Sequence, residues 1–370
     1  MMVDKSAAQK KIDELQEQYS KTKYNKATNK YLGELRAKIA KIKHAIESTS
    51  RKAGTGYSVR KTGNATVVFV GFPNAGKSSL LKALTGVDSK VADYAFTTLD
   101  VIPGMLEYNG AKIQMLDLPG LIQGAHIGKG GSMKIISVVR IADLILFVVD
   151  INTYGNLYQL IDELNMLNIR VNRRKPKMRL EITKSGGVNV EANGHLVPKK
   201  DVVAGVLNEF KIFNGEVIFY ENVTEDMLID FVADNCVYMR GVVALNKIDT
   251  VGATVVDAIT KEIEAKTGMT VMPISAKMFS NIPELKKDVF ESLDLIRVYL
   301  KPKEGNPDME KPLVLDKNST VIDVVKKINT KLVKDARFAY VTGPSSKFAN
   351  QRVGVEHIVK DGDIVTIIFD

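Results

Sequence analysis

At 370 residues with an ordinary share of hydrophobic side chains, the chain is long enough for two or three domains with cores of their own. Its single cysteine, Cys236, excludes an intrachain disulfide and points to a reducing, cytoplasmic setting. The formal net charge of +9 is uneven: residues 1–60 hold 14 Lys/Arg against 6 Asp/Glu (+8), residues 61–295 carry −2 and residues 296–370 carry +3. The excess therefore belongs to the N-terminal end, where it suggests a polyanionic partner. Met1-Met2-Val3-Asp4-Lys5 lacks the apolar core of a signal peptide. The run Leu144–Val149 is too short to span a bilayer, and Ile367-Ile368-Phe369-Asp370 carries no prenylation box, so no membrane partner is expected.

In chain order, Ile12, Leu15 and Tyr19 form a weak helical stripe. Leu32, Leu35, Ile39, Ile42 and Ile46 form a stronger one, with Lys30, Arg36, Lys38, Lys41 and Lys43 mostly on the other faces. The spacing predicts an antiparallel helical pair over residues 1–60 that packs its stripe inward and turns lysines outward. Gly54-Thr55-Gly56 then reads as a connector.

Val67-Val68-Phe69-Val70 has the composition of a strand buried on both faces. It leads directly into Gly71-Phe72-Pro73-Asn74-Ala75-Gly76-Lys77-Ser78-Ser79 and then Leu80, Leu81 and Leu84 at helical spacing. Strand, G-x-x-x-x-G-K-S and helix in that order predict a phosphate-binding loop. Gly71 and Gly76 let the backbone wrap a polyphosphate, with consecutive N–H groups pointing inward at the helix N-terminus. Lys77 supplies an ammonium for the β- and γ-phosphates, and the Ser78 hydroxyl is suited to Mg²⁺.

The polar segment Val91–Asp100, with Phe96 and paired Thr97 and Thr98, sits where a first switch belongs; a hydroxyl there can complete the Mg²⁺ shell only while a γ-phosphate is present. Asp117-Leu118-Pro119-Gly120 follows the apolar strand Ala111–Leu116, with Asp117 for the Mg²⁺ shell and the Gly120 amide for the γ-phosphate. The run Gly120, Gly124, Gly128, Gly130, Gly131 is expected of a mobile second switch. Many GTP hydrolases orient the attacking water with Gln directly after the D-x-x-G glycine. Here that position is Leu121, with Gln123 and His126 as nearby polar candidates, so intrinsic hydrolysis is expected to be slow.

A helix carrying Leu157, Leu160, Ile161 and Leu164 follows, and the next strand of the nucleotide domain, Gly241–Leu245, is about 70 residues further on, beyond any normal connection. Alternating runs at Leu180–Thr183 and Gly215–Tyr220 predict a small inserted α+β subdomain over 170–238. Its entrance holds a basic cluster of Arg170, Arg173, Arg174, Lys175, Lys177 and Arg179, read as a solvated loop. Asn246-Lys247-Ile248-Asp249 closes the strand after it; the Asp249 carboxylate can accept from the guanine N1–H and amine, which adenine cannot offer. Ser275-Ala276-Lys277 ends Thr270–Ile274 and can face the base oxygen. In this order and at strand ends, the stations are similar to the guanine-binding set of translation-factor-type GTPases.

Residues 296–370 read as a separate module. Ile296–Leu300 and Pro312–Leu315 are strand-like, and Ser319-Thr320 opens a helix with Val321, Val324, Val325, Ile328 and Leu332 on one face. Strand candidates follow at Phe338–Val341 and Ile364–Phe369, a β-grasp pattern. With Gly354-Val355-Glu356-His357 and Lys360-Asp361-Gly362-Asp363 it resembles the TGS domain, a binding module with no catalytic constellation.

Tyr94-Ala95-Phe96-Thr97-Thr98-Leu99, Ile102-Pro103-Gly104, Gly110–Gln114 and Asp117–Ala125 resemble the developmentally regulated GTP-binding protein (Drg) branch of the Obg-type GTPases over essentially the whole chain. The resemblance implies an α/β phosphate-loop GTPase domain (61–295) with a mostly parallel sheet, interrupted by a ribosomal-protein-like insertion. It implies Ser78 and Thr98 as Mg²⁺ ligands beside Asp117. The nucleotide-binding set becomes Gly71, Asn74, Ala75, Gly76, Lys77, Ser78, Ser79, Phe96, Thr97, Thr98, Asp117, Gly120, Asn246, Lys247, Asp249, Ser275, Ala276 and Lys277, with Lys77, Thr98 and Gly120 the catalytic group.

Eukaryotic Drg proteins usually have Ser where this loop has Asn74, the residue of the bacterial Obg pattern. In cation-dependent relatives that also lack the switch Gln, Asn at this place holds K⁺, so potassium-stimulated turnover is expected. The leading expectation is a cytoplasmic GTP hydrolase acting as a switch on the ribosome or structured RNA, through the basic helices and the TGS domain, with a Drg-family regulatory protein as a further partner. The alternative is a nucleotide-gated protein scaffold with incidental turnover.

Overall fold

The computed structural model describes residues 5–22, 28–52, 61–86, 102–117 and 138–369. In chain order the elements begin with α1 (Lys5–Lys21), α2 (Asn29–Lys52), β1 (Ala65–Val70), α3 (Lys77–Thr85), β2 (Ile102–Tyr108), β3 (Ala111–Asp117), β4 (Leu144–Asp150) and α4 (Asn156–Met166). Next are β5 (Ile169–Val171), β6 (Met178–Ile182), β7 (Val188–Glu191), α5 (Lys200–Glu209), β8 (Gly215–Phe219), α6 (Glu225–Ala233) and β9 (Val237–Asn246). The last are α7 (Ala253–Thr267), β10 (Val271–Pro273), α8 (Ile282–Ser292), β11 (Leu295–Leu300), β12 (Leu313–Asp316), α9 (Val321–Ile328), β13 (Ala336–Thr342), β14 (Gln351–Gly354) and β15 (Asp363–Phe369). Two compact units result, one joining the N-terminal helices to 161–239, the other holding the remaining nucleotide-domain elements and the C-terminal module.

In the second unit the main sheet has strand order β10-β9-β4-β1-β3-β2. All neighbours are parallel except β2 and β3, which form an antiparallel hairpin. All six residues of β1 are buried, as a β-branched and aromatic run between two parallel neighbours requires. Val67, Phe69, Ile113, Met115, Leu146 and Val148 share one core with Leu80, Leu81 and Leu84 of α3 and Leu285 and Val289 of α8. Asp117 and Asp150 end β3 and β4, and Asn246 ends β9, where an α/β sheet places its ligand crevice.

The C-terminal module is a β-grasp with strand order β12-β11-β15-β13-β14. Val321 and Val324 of α9 pack on Val298, Ala339, Val341, Val353 and Val365 of the sheet. A capping box opens α9: Thr320 and Asp323 bond reciprocally across the first turn. The predicted helical stripe is shorter than its period suggests. The α-helix stops at Ile328, Asn329 leaves the helical region, and Leu332 lies in a 3₁₀ turn over Thr330–Lys334 that the Asn329 side chain caps. The sheet also has one strand beyond the sequence pattern, the four-residue edge strand β14. Gly110, with φ 79, closes the β2–β3 hairpin directly against Pro312, leaving no space for a Cβ.

In the first unit, β8 pairs antiparallel with β6 and parallel with β7. Val203, Val206 and Leu207 of α5 and Leu228 of α6 cover Val217 and Phe219 of β8, and Ala37 of α2 lies in that same core. Helix α2 packs on α1, α5 and α6. Leu32 and Leu35 are buried, and Gly33 fits against side-chain atoms of Val202 and Glu225.

Four of the basic residues of this helix, expected to face outward, have partners within the fold. Arg36 pairs with Glu225 (2.6 Å) and Asp226 (2.5 Å), and its guanidinium stands 5.6 Å over the Tyr19 ring. Lys38 pairs with Glu209 at 3.5 Å, Lys41 donates to the Glu209 carbonyl, and Lys43 donates to the Met166 carbonyl. Four of the six basic residues at the insertion entrance are likewise paired. Arg170 forks onto Asp230, Arg174 meets Glu221, Lys175 meets Asp234 and Arg179 meets Glu181. No described helix is long and apolar enough to cross a membrane.

Candidate functional site

The site is built where β1 gives way to α3. Asn74 (φ 64) and Gly76 (φ 93) both take left-handed backbone, which turns the loop sharply before the helix begins at Lys77. A Cβ on Gly71 would strike the Val148 carbonyl, and one on Gly76 would strike the Asn246 amide. Both glycines are therefore demanded by close approach of the neighbouring strands. Ala75 is buried between them, and Asn74, Ser78 and Ser79 are exposed at the rim.

Lys77 is half-buried and donates to the carbonyls of Gly71 (2.9 Å) and Phe72 (3.0 Å), spanning the loop. Burial lowers its pKa, against the smaller raising effect of Asp117. The Ser78 hydroxyl donates to Asp117 Oδ2 at 2.9 Å. Asp117 itself is buried, and its Oδ1 has no hydrogen-bond partner among the described residues. A hydroxyl beside a buried carboxylate with a spare oxygen is a hard oxygen set that fits Mg²⁺. Among the described residues no group of three or more His, Cys, Asp or Glu is arranged to hold a metal without such outside ligands.

The third and fourth stations meet the loop through one side chain. Asn246, 2% exposed, donates from Nδ2 to the Ala75 carbonyl at 2.9 Å. Its Oδ1 accepts from Ala276 N at 3.0 Å and Lys247 N at 2.8 Å. Asp249 Oδ1 accepts from the Ser275 hydroxyl at 2.6 Å, and Ser275 Oγ in turn accepts from Met278 N at 3.1 Å. Ile248 N bonds the Ile274 carbonyl, drawing the two loops together. Lys277 is exposed beyond them.

One participant was not singled out from the sequence. Asp150, at the end of β4, bonds Lys247 Nζ at 2.7 Å and accepts from Asn152 N at 2.9 Å. Burial pushes its carboxyl upward, but these hydrogen bonds outweigh it and hold the pKa below the usual carboxylate value. The available signal was its place at the carboxyl end of the apolar run Leu144–Val149. Phe96, Thr97, Thr98, Gly120, Leu121, Gln123 and His126 lie outside the described residues.

Comparison with known proteins gives the family of the domains that carry this site. Residues 66–183 match the family model described as 50S ribosome-binding GTPase, 185–295 match the model of that domain's C-terminal region, and 296–369 match the TGS domain. A GTP-binding protein of Methanocaldococcus jannaschii is 41% identical over 99% of this chain and 94% of its own length. GTP-binding protein 1 of Schizosaccharomyces pombe is 40% identical over 97% of this chain and 98% of its own. Developmentally-regulated GTP-binding protein 1 of Xenopus laevis is 38% identical over the same shares.

The chain belongs to the Drg family of GTP-binding proteins. As in any Drg-family member, GTP and GDP are the ligands and GTP hydrolysis is the reaction class. The phosphate-loop GTPase domain and C-terminal TGS module are those of the family.

Proposed function

We propose that this Drg-family protein is a slow, potassium-stimulated GTP hydrolase that switches its association with the ribosome or structured RNA. The observation that carries the nucleotide reading is Asn246, which links the phosphate loop, N-K-I-D and S-A-K stations through three hydrogen bonds. In this reading the N–H groups of residues 74–79 and the Lys77 ammonium bind the phosphates, and Lys77 exchanges the Gly71 and Phe72 carbonyls for phosphate oxygens. Mg²⁺, when bound, neutralises phosphate charge, and Ser78, Asp117 and Thr98 are the residues that would hold it. In the same reading Ser275 orients Asp249 toward the guanine edge, and the Ser275-Ala276-Lys277 loop, tied to Asn246 through the Ala276 amide, is the segment that would meet the base oxygen. Asn74 would hold K⁺ beside the phosphates, and Leu121 offers the attacking water no hydrogen bond, so turnover depends on charge stabilisation alone.

The ribosome reading draws on the description of the matched GTPase model and on the TGS module. A nucleotide-gated protein scaffold is the second reading, favoured by one observation: Arg36, Lys38, Lys41 and Lys43 are engaged within the fold. A Drg-family regulatory protein suits either. The deciding experiment is co-sedimentation of the full chain with ribosomes, with a non-hydrolysable GTP analogue and with GDP, before and after nuclease treatment. Nucleotide-dependent, nuclease-sensitive association supports the switch; association with protein alone supports the scaffold.

A further inference from the structure

The face of the C-terminal sheet turned away from α9 has a composition that the nucleotide site does not use. Strands β14, β13 and β15 bring residues together in rows: Gly354, Phe338 and Ile368; then Arg352, Tyr340 and Thr366; then Thr342 and Ile364, with Tyr299 of β11 beside Ile364. The alternate residues Ala339, Val341, Val353 and Val365 are buried in the module's core with α9, so these rows form the opposite face. Tyr340 is 37% exposed and stands edge-on to Phe338, ring centroids 5.5 Å apart. The exposed Arg352 guanidinium lies 4.0 Å over the Phe338 ring and pairs with no carboxylate among the described residues. Opposite Phe338, Gly354 leaves open space where a side chain would stand.

We propose that this face stacks the bases of single-stranded nucleic acid, and on the ribosome and RNA reading above, on which this inference rests, of single-stranded RNA. Every base has a π-face, so an aromatic pair with an adjacent planar cation binds it with little sequence preference. The three rows contain no Asp or Glu, so nothing on them repels phosphates. Thr342 and Thr366 can bond base edges or sugar. A patch for an apolar protein partner would instead have aliphatic side chains where Arg352, Thr366 and Thr342 stand. The space at Gly354 leaves a base room beside Phe338 without displacing Arg352.

The test uses the full chain and labelled RNA of about 12 nucleotides, within the usual span of single-strand sites. Binding is measured by anisotropy for single-stranded RNA, the same sequence as DNA, and duplex RNA; a 4-thiouridine form locates the contact by crosslinking and mass spectrometry. Tyr340→Ala and Arg352→Gln should each weaken single-strand binding about tenfold, with Tyr340→Phe close to the parent, since the ring and not the hydroxyl carries stacking. Duplex binding and GTP turnover should not change, and crosslinks should fall on residues 336–342 or 351–354. Preference for RNA over DNA supports the RNA assignment; equal affinity supports the stacking face and overturns that assignment. Unchanged single-strand affinity in both variants with turnover intact overturns the proposal, as do crosslinks elsewhere or variants that lose a protein partner while RNA binding persists. A parent chain that binds ribosomes or duplex RNA but no single strand overturns this face alone; one that binds no RNA and no ribosome overturns the function reading with it.

Discussion

Asn246 Nδ2 donates to the Ala75 carbonyl across 171 positions of sequence, while its Oδ1 accepts from the Ala276 amide. One buried amide thus fixes the spacing between the loop that faces phosphates and the loops that face the base. The arrangement predicts that Asn246→Asp, which keeps the acceptor and brings a buried carboxylate against the Ala75 carbonyl, damages the site more than its size suggests. Leaving one buried partner unsatisfied costs about 1–3 kcal/mol. Fluorescent GDP should dissociate at least tenfold faster. Unchanged dissociation would show that the stations are held by other contacts.

Asp249 accepts from Ser275, so the hydroxyl decides how a substituted side chain is turned. In Asp249→Asn the Ser275 hydroxyl will keep bonding the remaining oxygen, which leaves the amide nitrogen pointing outward as a donor. Guanine then meets a donor with donors, and each lost charge-assisted bond costs about 1.5–3 kcal/mol. Xanthine, with a carbonyl in place of the amine, becomes the better ligand. Competition between GTP and XTP checks this, and Ser275→Ala in the same background should blunt the switch. A variant still preferring GTP would remove Asp249 from the base site.

Asn74 is exposed with φ 64, a conformation that asparagine tolerates for turn reasons alone. Potassium and turn capping are separated by comparing Asn74→Gly with Asn74→Ala. Glycine keeps the backbone and removes the ligand, while alanine adds left-handed strain of about 1–2 kcal/mol. Faster GTP turnover in K⁺ than in Na⁺ at equal ionic strength, abolished in both variants, supports the ion. Equal rates in the two salts for the parent chain reject it.

The capping box of α9 gives a pH prediction. Asp323 is drawn down to about 2, first by the Thr320 backbone N–H, then by Lys326 and the Thr320 hydroxyl. A depressed folded-state pKa contributes stability that is full above the unfolded value near 3.9 and is lost as pH falls toward 2. The side chain is 38% exposed, so solvent screening keeps the effect small. Asp323→Asn should therefore lower the melting temperature of the C-terminal module near neutral pH, with the difference from the parent shrinking below about pH 3. A difference constant with pH would mean that the carboxylate charge contributes nothing.

What the sequence made legible was the part that repeats locally. Parallel strands buried on both faces are continuous apolar runs, so the ends of β1, β3 and β9, and with them Lys77, Asp117 and Asn246, were readable directly. Asp150 escaped because its partner, Lys247, is 97 positions away and a single Asp after a strand has no distinguishing spacing. Helix α2 misled for a related reason. Its period-3.6 stripe announced one buried face, but Gly33 and Ala37 supply a second, and small residues read as neutral in a hydrophobic pattern. The partners that neutralise Arg36 lie 189 and 190 positions away, beyond any local window.

That packing changes how the N-terminal charge must be tested. Removing residues 1–60 would strip Ala37, Leu32 and Leu35 from α5 and α6, and so confound loss of charge with loss of the insertion's core. Lys10 and Lys11 of α1 are exposed and appear in no ion pair among the described residues, so they are two cations that can be tested against a polyanion. Each phosphate contact steepens the slope of log affinity against log salt by about 0.7–0.9. Lys10→Gln with Lys11→Gln should therefore flatten the slope of RNA or ribosome binding by about 1.4–1.8 if both touch phosphate. GTP affinity should stay unchanged, because the described nucleotide stations all lie at or beyond Gly71. The measurement is binding across a salt series with GTP analogue and with GDP. An unaltered slope would mean that these lysines are a solvated face, and with Arg36, Lys38, Lys41 and Lys43 already engaged, the protein-scaffold reading would become the stronger one.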